Sequence, residues 1–187
     1  LHKTSVAYEN MLVSALLRAK ELASKGVELF ASPALKFFLY NDINRERFKS
    51  DPKCLENFIL LDDNDIWTAL KVWCNHNDII LATLSQGMVN REIFKVEVSP
   101  TPCTEERLNT ISERIAKQLY ISKEDTRYFI STPSIEKNMY NPADDSIDIL
   151  YNDGSTTNIA EASDMLHLSV LSKKVKKYYI CYLREKK

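Results

Sequence analysis

Cys74 and His76 stand two residues apart, a spacing that suggests a thiol activated by an imidazole. Residues at i and i+2 do not share a helix face, however, and Trp67, Leu70 and Trp73 mark this stretch as a packed helix. A structural role is the simpler reading of the pair. Ser163, Asp164 and His167 contain the residue types of a hydrolytic triad, but no strained GxSxG turn presents the serine, so they read as a helix N-cap followed by a surface histidine. The carboxylates Asp144-Asp145 follow Asn141-Pro142 in a turn, where Asp is favoured for backbone reasons. Asp62-Asp63-Asn64-Asp65 lacks the Gly and closing Glu of an EF-hand loop and reads as the cap of a helix. The three histidines, His2, His76 and His167, are too scattered for a multi-histidine metal site. Gly26, Gly87 and Gly154 are too far apart to build a GxGxxG, GxxxxGKS or GxxxxGKT phosphate loop, which argues against a Rossmann or P-loop enzyme.

Two small basic constellations remain. His2-Lys3 immediately precedes a helix, and Arg91 with Lys95 flanks a helix-to-strand junction. An Arg fork matches phosphate oxygens, and a charge-assisted hydrogen bond contributes on the order of 1.5–3 kcal/mol, so three or four converging cations would hold a nucleoside triphosphate. Isolated surface cations are mostly solvated, so these residues matter only if the fold brings them together.

The elements that must position them can be read from periodicity. Thr4 to Lys25 recurs at helical spacing through Val6, Met11, Ala15, Ala19 and Leu22, with Gly26 as the stop. Pro33 opens a helix through Tyr40, and Asn41 to Lys53 reads as loop or weak helix. Helices follow behind the acidic cluster before Ile66 and behind Asp78, the latter running from Ile79 to Val89. From Asn90 the texture changes. Glu92 to Val98 alternates as a strand, and Thr104-Glu105-Glu106 starts a helix with Leu108, Ile111, Ile115 and Leu119 on one stripe. Arg127 to Thr132, Ile147 to Tyr151 and Thr156 to Ile159 read as strands, with Asn152-Asp153-Gly154 turning between the last two. Asp164 to Leu171 reads as helix, and Val175 to Leu183 as a closing strand covered on both faces. The expected class is α+β: a helical half over residues 1–90, then a smaller α+β half over 91–187 with a mostly antiparallel sheet.

With 187 residues, 44% of them hydrophobic and 27% charged, the chain can bury a core, which excludes a disordered or collagen-like class. Four cysteines without a CxxC pair, and no apolar run of membrane-spanning length, point to a cytoplasmic protein with reduced thiols and no membrane partner. A net charge of −1 hides an acidic stretch, Glu136 to Asp164, followed by a basic one, Ser172 to Lys187. In that basic stretch Lys173-Lys174-Val175-Lys176-Lys177-Tyr178-Tyr179 interleaves cations with aromatics. A non-enzymatic nucleic-acid or protein interaction module is therefore the alternative reading. The first residue, Leu1, is not Met, and the expectation is a fragment that begins inside a longer chain.

Several ordered pieces together resemble a family. They are Leu1-His2-Lys3-Thr4 leading into a long helix, the acidic run before Ile66-Trp67, Asn90-Arg91-Glu92-Ile93-Phe94-Lys95-Val96 entering a strand, Asn141-Pro142-Ala143-Asp144-Asp145 before a strand, and the basic-aromatic closing strand. They resemble the C-terminal part of HD-domain deoxynucleoside triphosphate triphosphohydrolases, the bacterial relatives of the human SAM- and HD-domain enzyme. The resemblance implies a full-length enzyme that hydrolyses a dNTP to deoxynucleoside plus triphosphate at a divalent metal. That metal is held by a His, a His-Asp pair and a further Asp, all before the segment matched here. It implies that these residues hold no catalytic group and no metal of their own. It further implies that His2, Lys3, Arg91 and Lys95 contact an activating nucleotide, a dNTP or GTP, bound between subunits of a homo-oligomer, a dimer or tetramer. A family Lys that also reaches the activator is replaced by Tyr140, leaving Lys137 as the nearest base.

Overall fold

The computed structural model describes residues 2–137, 148–158 and 175–185. Its helical half begins with α1 (Lys3–Ser24), which buries Val6, Ala7, Met11, Ala15, Ala19, Leu22 and Ala23. The alanines let neighbouring helices approach closely, and the helix ends where Gly26 adopts φ +81°. Gly26 N–H then reaches Ala23 O and Val27 N–H reaches Leu22 O, at 3.0 Å each, the double closure that a left-handed glycine permits. Each of the next helices is started by a side chain that accepts an otherwise unpaired backbone N–H. Ser32 caps α2 (Pro33–Tyr40), Asn44 caps α3 (Arg45–Ser50), and Asp51 caps α4 (Pro52–Ile59). Asp62 and Asp65 form a reciprocal capping box on α5 (Asp63–Trp73), and Asp78 caps α6 (Ile79–Val89).

The stretch Asn41 to Lys53, expected as loop or weak helix, contains α3 and the start of α4. Pro52 does not stop a helix here. It occupies the first helical position of α4, where its missing N–H would have been unpaired in any case. Helices α1 and α6 run antiparallel, with Arg18 against Asp78 at one end and Met11 against Gly87 near the other. A Cβ at Gly87 would stand 2.8 Å from Met11 Cε and 3.2 Å from the Glu92 carbonyl, so the bare glycine is what permits this approach.

The second half is built on one strand. β6 (Val175–Tyr182) pairs antiparallel with β1 (Lys95–Ser99) along one edge and with β2 (Ile130–Ser131) and β3 (Ser134–Lys137) along the other. The register sets Lys95 and Ile130 opposite Tyr182, and Ser99 and Ser134 opposite Tyr178. Tyr179, Ile180, Cys181 and Tyr182 are all buried, so β6 is covered on both faces over these four residues, while Lys177 before them is exposed. α7 (Glu105–Leu119) follows β1 with Thr104 as its cap, and a separate hairpin joins β4 (Asp148–Leu150) to β5 (Thr156–Asn158). The fold is α+β, a helical half followed by small antiparallel sheets.

Three boundaries in this half differ from expectation. β1 starts at Lys95 rather than Glu92, because the chain first turns through a left-handed residue at Arg91. The expected strand from Arg127 loses its first two residues to a 3-10 helix, Glu124–Tyr128, and only Ile130–Ser131 pairs. Consecutive Tyr128 and Phe129 are both buried, which a half-exposed strand would not allow. β3 was not anticipated. The expected helix from Asp164 to Leu171 and the Asn141-Pro142 turn lie outside the described residues.

One apolar cluster runs through both halves, from Ala7, Met11 and Trp73 to Phe94, Ile115, Phe129 and Cys181. The Trp73 indole donates to Phe30 O at 2.9 Å, so its burial leaves no orphaned donor. A half-buried charge network seals the seam: Arg18 on α1 grips Asp78, while Glu21 takes bonds from Arg127 and from the Tyr128 hydroxyl. Among the described residues, no helix is long and apolar enough to cross a membrane.

Candidate functional site

The link from α6 to β1 carries the basic residue that is best placed to bind. Arg91 sits at φ +60°, a conformation that costs a residue with a Cβ on the order of 1 kcal/mol. The turn sends Phe94 into the core, where it is 3% exposed, and leaves Arg91 on the surface. Arg91 lines a cavity of about 750 Å³ between the end of α6, the end of α7 and the chain after β6. Asn90, Gln86, Gln118 and Arg184 supply further polar groups, and Met11, Phe94 and Leu183 supply apolar wall. That volume and mixture suit a ligand of nucleotide size. Among the described residues, neither the Arg91 nor the Arg184 guanidinium has an ion-pair or hydrogen-bond partner on another side chain, so both keep their charge available to an anion.

Lys95 is placed differently. Its ammonium lies 3.0 Å from Glu97 Oε1 and 5.7 Å from the centroid of the Tyr182 ring, away from the walls of that cavity. Glu97 also holds the Arg107 guanidinium and accepts the Tyr182 hydroxyl at 2.6 Å. The Tyr182 hydrogen bond, with those of Lys95 and Arg107, outweighs desolvation and holds the Glu97 carboxyl down at about 2. The sequence reading named Lys95 and missed Glu97. The signal was available, since residues two apart on a strand share a face.

His2 and Lys3 lie exposed at the start of α1, where no side chain caps the helix and no acidic residue occupies the first turn. The antiparallel packing of α1 on α6 puts this end of α1 on the same side as Arg91. The described structure does not bring either residue into the cavity. Of Lys137 only the backbone is described, in β3 opposite Val175. Tyr140 and the Ser163, Asp164, His167 set lie outside the described residues.

The remaining candidates have structural partners. His76 Nδ1 accepts the Asp78 backbone N–H at 2.9 Å, fixing the turn before α6. Burial pushes the Cys74 thiol up, and pushes Cys181 up to about 11, so neither is a thiolate at neutral pH. Tyr179 and Tyr182, two aromatics of the basic closing strand, are 8% and 9% exposed and have no free face on which a base could stack. No group of three or more His, Cys, Asp or Glu could hold a metal ion among the described residues, which therefore do not fit the divalent metal of the family resembled.

No family model matches the chain, and no curated protein matches it. Among solved structures it is similar to the crystal structure of a phosphohydrolase from Bacteroides thetaiotaomicron, with 70% identity, a TM-score of 0.92 and 98% of this chain covered. The chain spans 46% of the length of that solved chain.

Proposed function

We propose that the chain is the C-terminal assembly and regulatory portion of an HD-type, metal-dependent phosphohydrolase that converts a dNTP to deoxynucleoside plus triphosphate. In this reading the 187 residues are themselves non-catalytic, and the divalent metal and its ligands belong to the rest of the full-length protein. The observation that carries the proposal is the 70% identity to a phosphohydrolase of which this chain spans only 46%. The cavity at the α6–β1 link adds physical support: Arg91, without an ion-pair partner among the described residues, lines a space of nucleotide size, in the segment Asn90 to Val96 that resembles the activator-binding segment of the family.

A dNTP or GTP would act by bridging protomers. A ligand that touches two subunits binds the assembled state and not the separate ones, so it stabilises the dimer or tetramer by its differential affinity and couples nucleotide level to activity. Arg91 would contribute the fork to phosphate, and His2, Lys3, Lys95 and Lys137 the further cations. Sedimentation of the full-length protein with dGTP or GTP tests this. Nucleotide should drive assembly, and Arg91→Ala with Lys95→Ala should weaken it. Assembly unchanged by those substitutions contradicts the regulatory role.

A further inference from the structure

We propose that Glu97 is an internal competitor for the cations at the sheet edge, a carboxylate that a bound nucleotide must displace from Lys95, and so sets how tightly nucleotide binds. The inference rests on the reading of Lys95 as an activator contact and deepens it. Glu97 makes three bonds at once: to the Lys95 ammonium at 3.0 Å, to the Arg107 guanidinium, and from the Tyr182 hydroxyl at 2.6 Å. Its side chain is 28% exposed, whereas those of Lys95 and Arg107 are 54% and 52% exposed. Solvent and ligand can thus reach both cations while the anion between them is the more enclosed partner.

Tyr182 explains why the carboxylate stays in place. Its hydroxyl is fixed by a buried ring in the central strand, and that ring also lies 5.7 Å from Lys95 Nζ and 5.7 Å from the Arg114 guanidinium. Glu97 is therefore held by the core on one side and neutralises half-exposed surface cations on the other. A phosphate oxygen that has drawn Lys95 away would still sit about 6 Å from this carboxylate, which the Tyr182 hydroxyl holds in place. Like charges at that separation, beside cations this open to solvent and so in an effective dielectric of about 40–80, change affinity by about three- to tenfold. A nucleoside triphosphate carries enough negative charge to take Lys95 from a single carboxylate, while a nucleoside or a monophosphate is at a disadvantage. Glu97 on this account favours triphosphates and keeps the cation pair neutralised until one arrives.

The test is dGTP affinity by calorimetry on the full-length protein, in the wild type and in Glu97→Gln, Lys95→Ala and the double variant. Glu97→Gln should bind dGTP about three- to tenfold more tightly, and that gain should vanish when Lys95 is also Ala. In addition, dGTP added to the wild type should shift the Glu97 carboxyl carbon resonance as the Lys95 bond is exchanged, a readout that needs no substitution. If Lys95→Ala loses affinity while Glu97→Gln binds no better than wild type, Glu97 is no competitor, although Lys95 still binds nucleotide. If Lys95→Ala binds as wild type does, or the wild type binds no dGTP, both this inference and the reading beneath it are overturned.

Discussion

Replacing Arg18 by Met should destabilise the fold by about 2–4 kcal/mol, because it keeps the apolar stem and removes only the charge. Arg18 is 11% exposed at its side chain and Asp78 15%. The guanidinium grips both oxygens of Asp78, at 3.1 and 2.6 Å, and reaches Glu21 at 3.3 Å, while its carbon lies 5.4 Å from the Tyr128 ring centroid. Removing one partner of a fully buried ion pair costs about 3–5 kcal/mol, since the other charge is left without compensation. Asp78 keeps its hydrogen bond from Leu81 N–H and some access to water, which lowers the figure. For a domain of this size the loss corresponds to a fall in Tm of roughly 5–15 °C. Urea unfolding should show a lower midpoint with an unchanged slope. Adding Asp78→Asn should recover part of the loss, because Asn still caps α6 and carries no orphaned charge. A loss below about 0.5 kcal/mol, or strict additivity of the two substitutions, would refute the reasoning.

Three other outcomes follow from single residues. Tyr120 ends α7 at φ +54° with 95% of its surface exposed, so Tyr120→Gly should raise stability by about 0.5–1 kcal/mol in thermal melts, and a lower Tm would count against it. Glu21 is held at about 2, below its usual 4.5, first by Lys25 and then by the Tyr128 hydroxyl. Its contribution is therefore complete above about pH 4.5 and lost as pH falls toward 2, so Glu21→Gln should flatten the acid limb of a stability profile, and an unchanged limb would contradict this. At Arg91, Gly should be more stable than Ala by about 1 kcal/mol because of the positive φ, while both variants lose nucleotide-driven assembly; equal stability would show that the left-handed turn carries no cost.

What could be read from sequence was what local chemistry decides. Asp62, Asp78 and Thr104 cap the helices that their positions announce, and Gly26 closes α1, because a cap needs only residues a few positions away. The helices within Asn41 to Lys53 are hard to read, since a proline such as Pro52 can break a helix or start one and only the Asp51 cap tells the two apart. β3 is short and polar and has no pattern of its own; its strand character comes from β6, about forty residues later in the chain. The same limit applies to the site. Arg91 and Lys95 were legible as a basic pair, but the left-handed turn that aims one at a cavity and the Tyr182 hydroxyl that holds a carboxylate against the other depend on distant packing.

Product analysis of the full-length protein with a dNTP and a divalent metal shows where chemistry and control reside. Inorganic triphosphate and deoxynucleoside should be released, with activation by nucleotide lost in Arg91→Ala and Lys95→Ala. Release of monophosphate or pyrophosphate instead, or full nucleotide activation in those variants, would contradict the proposed function.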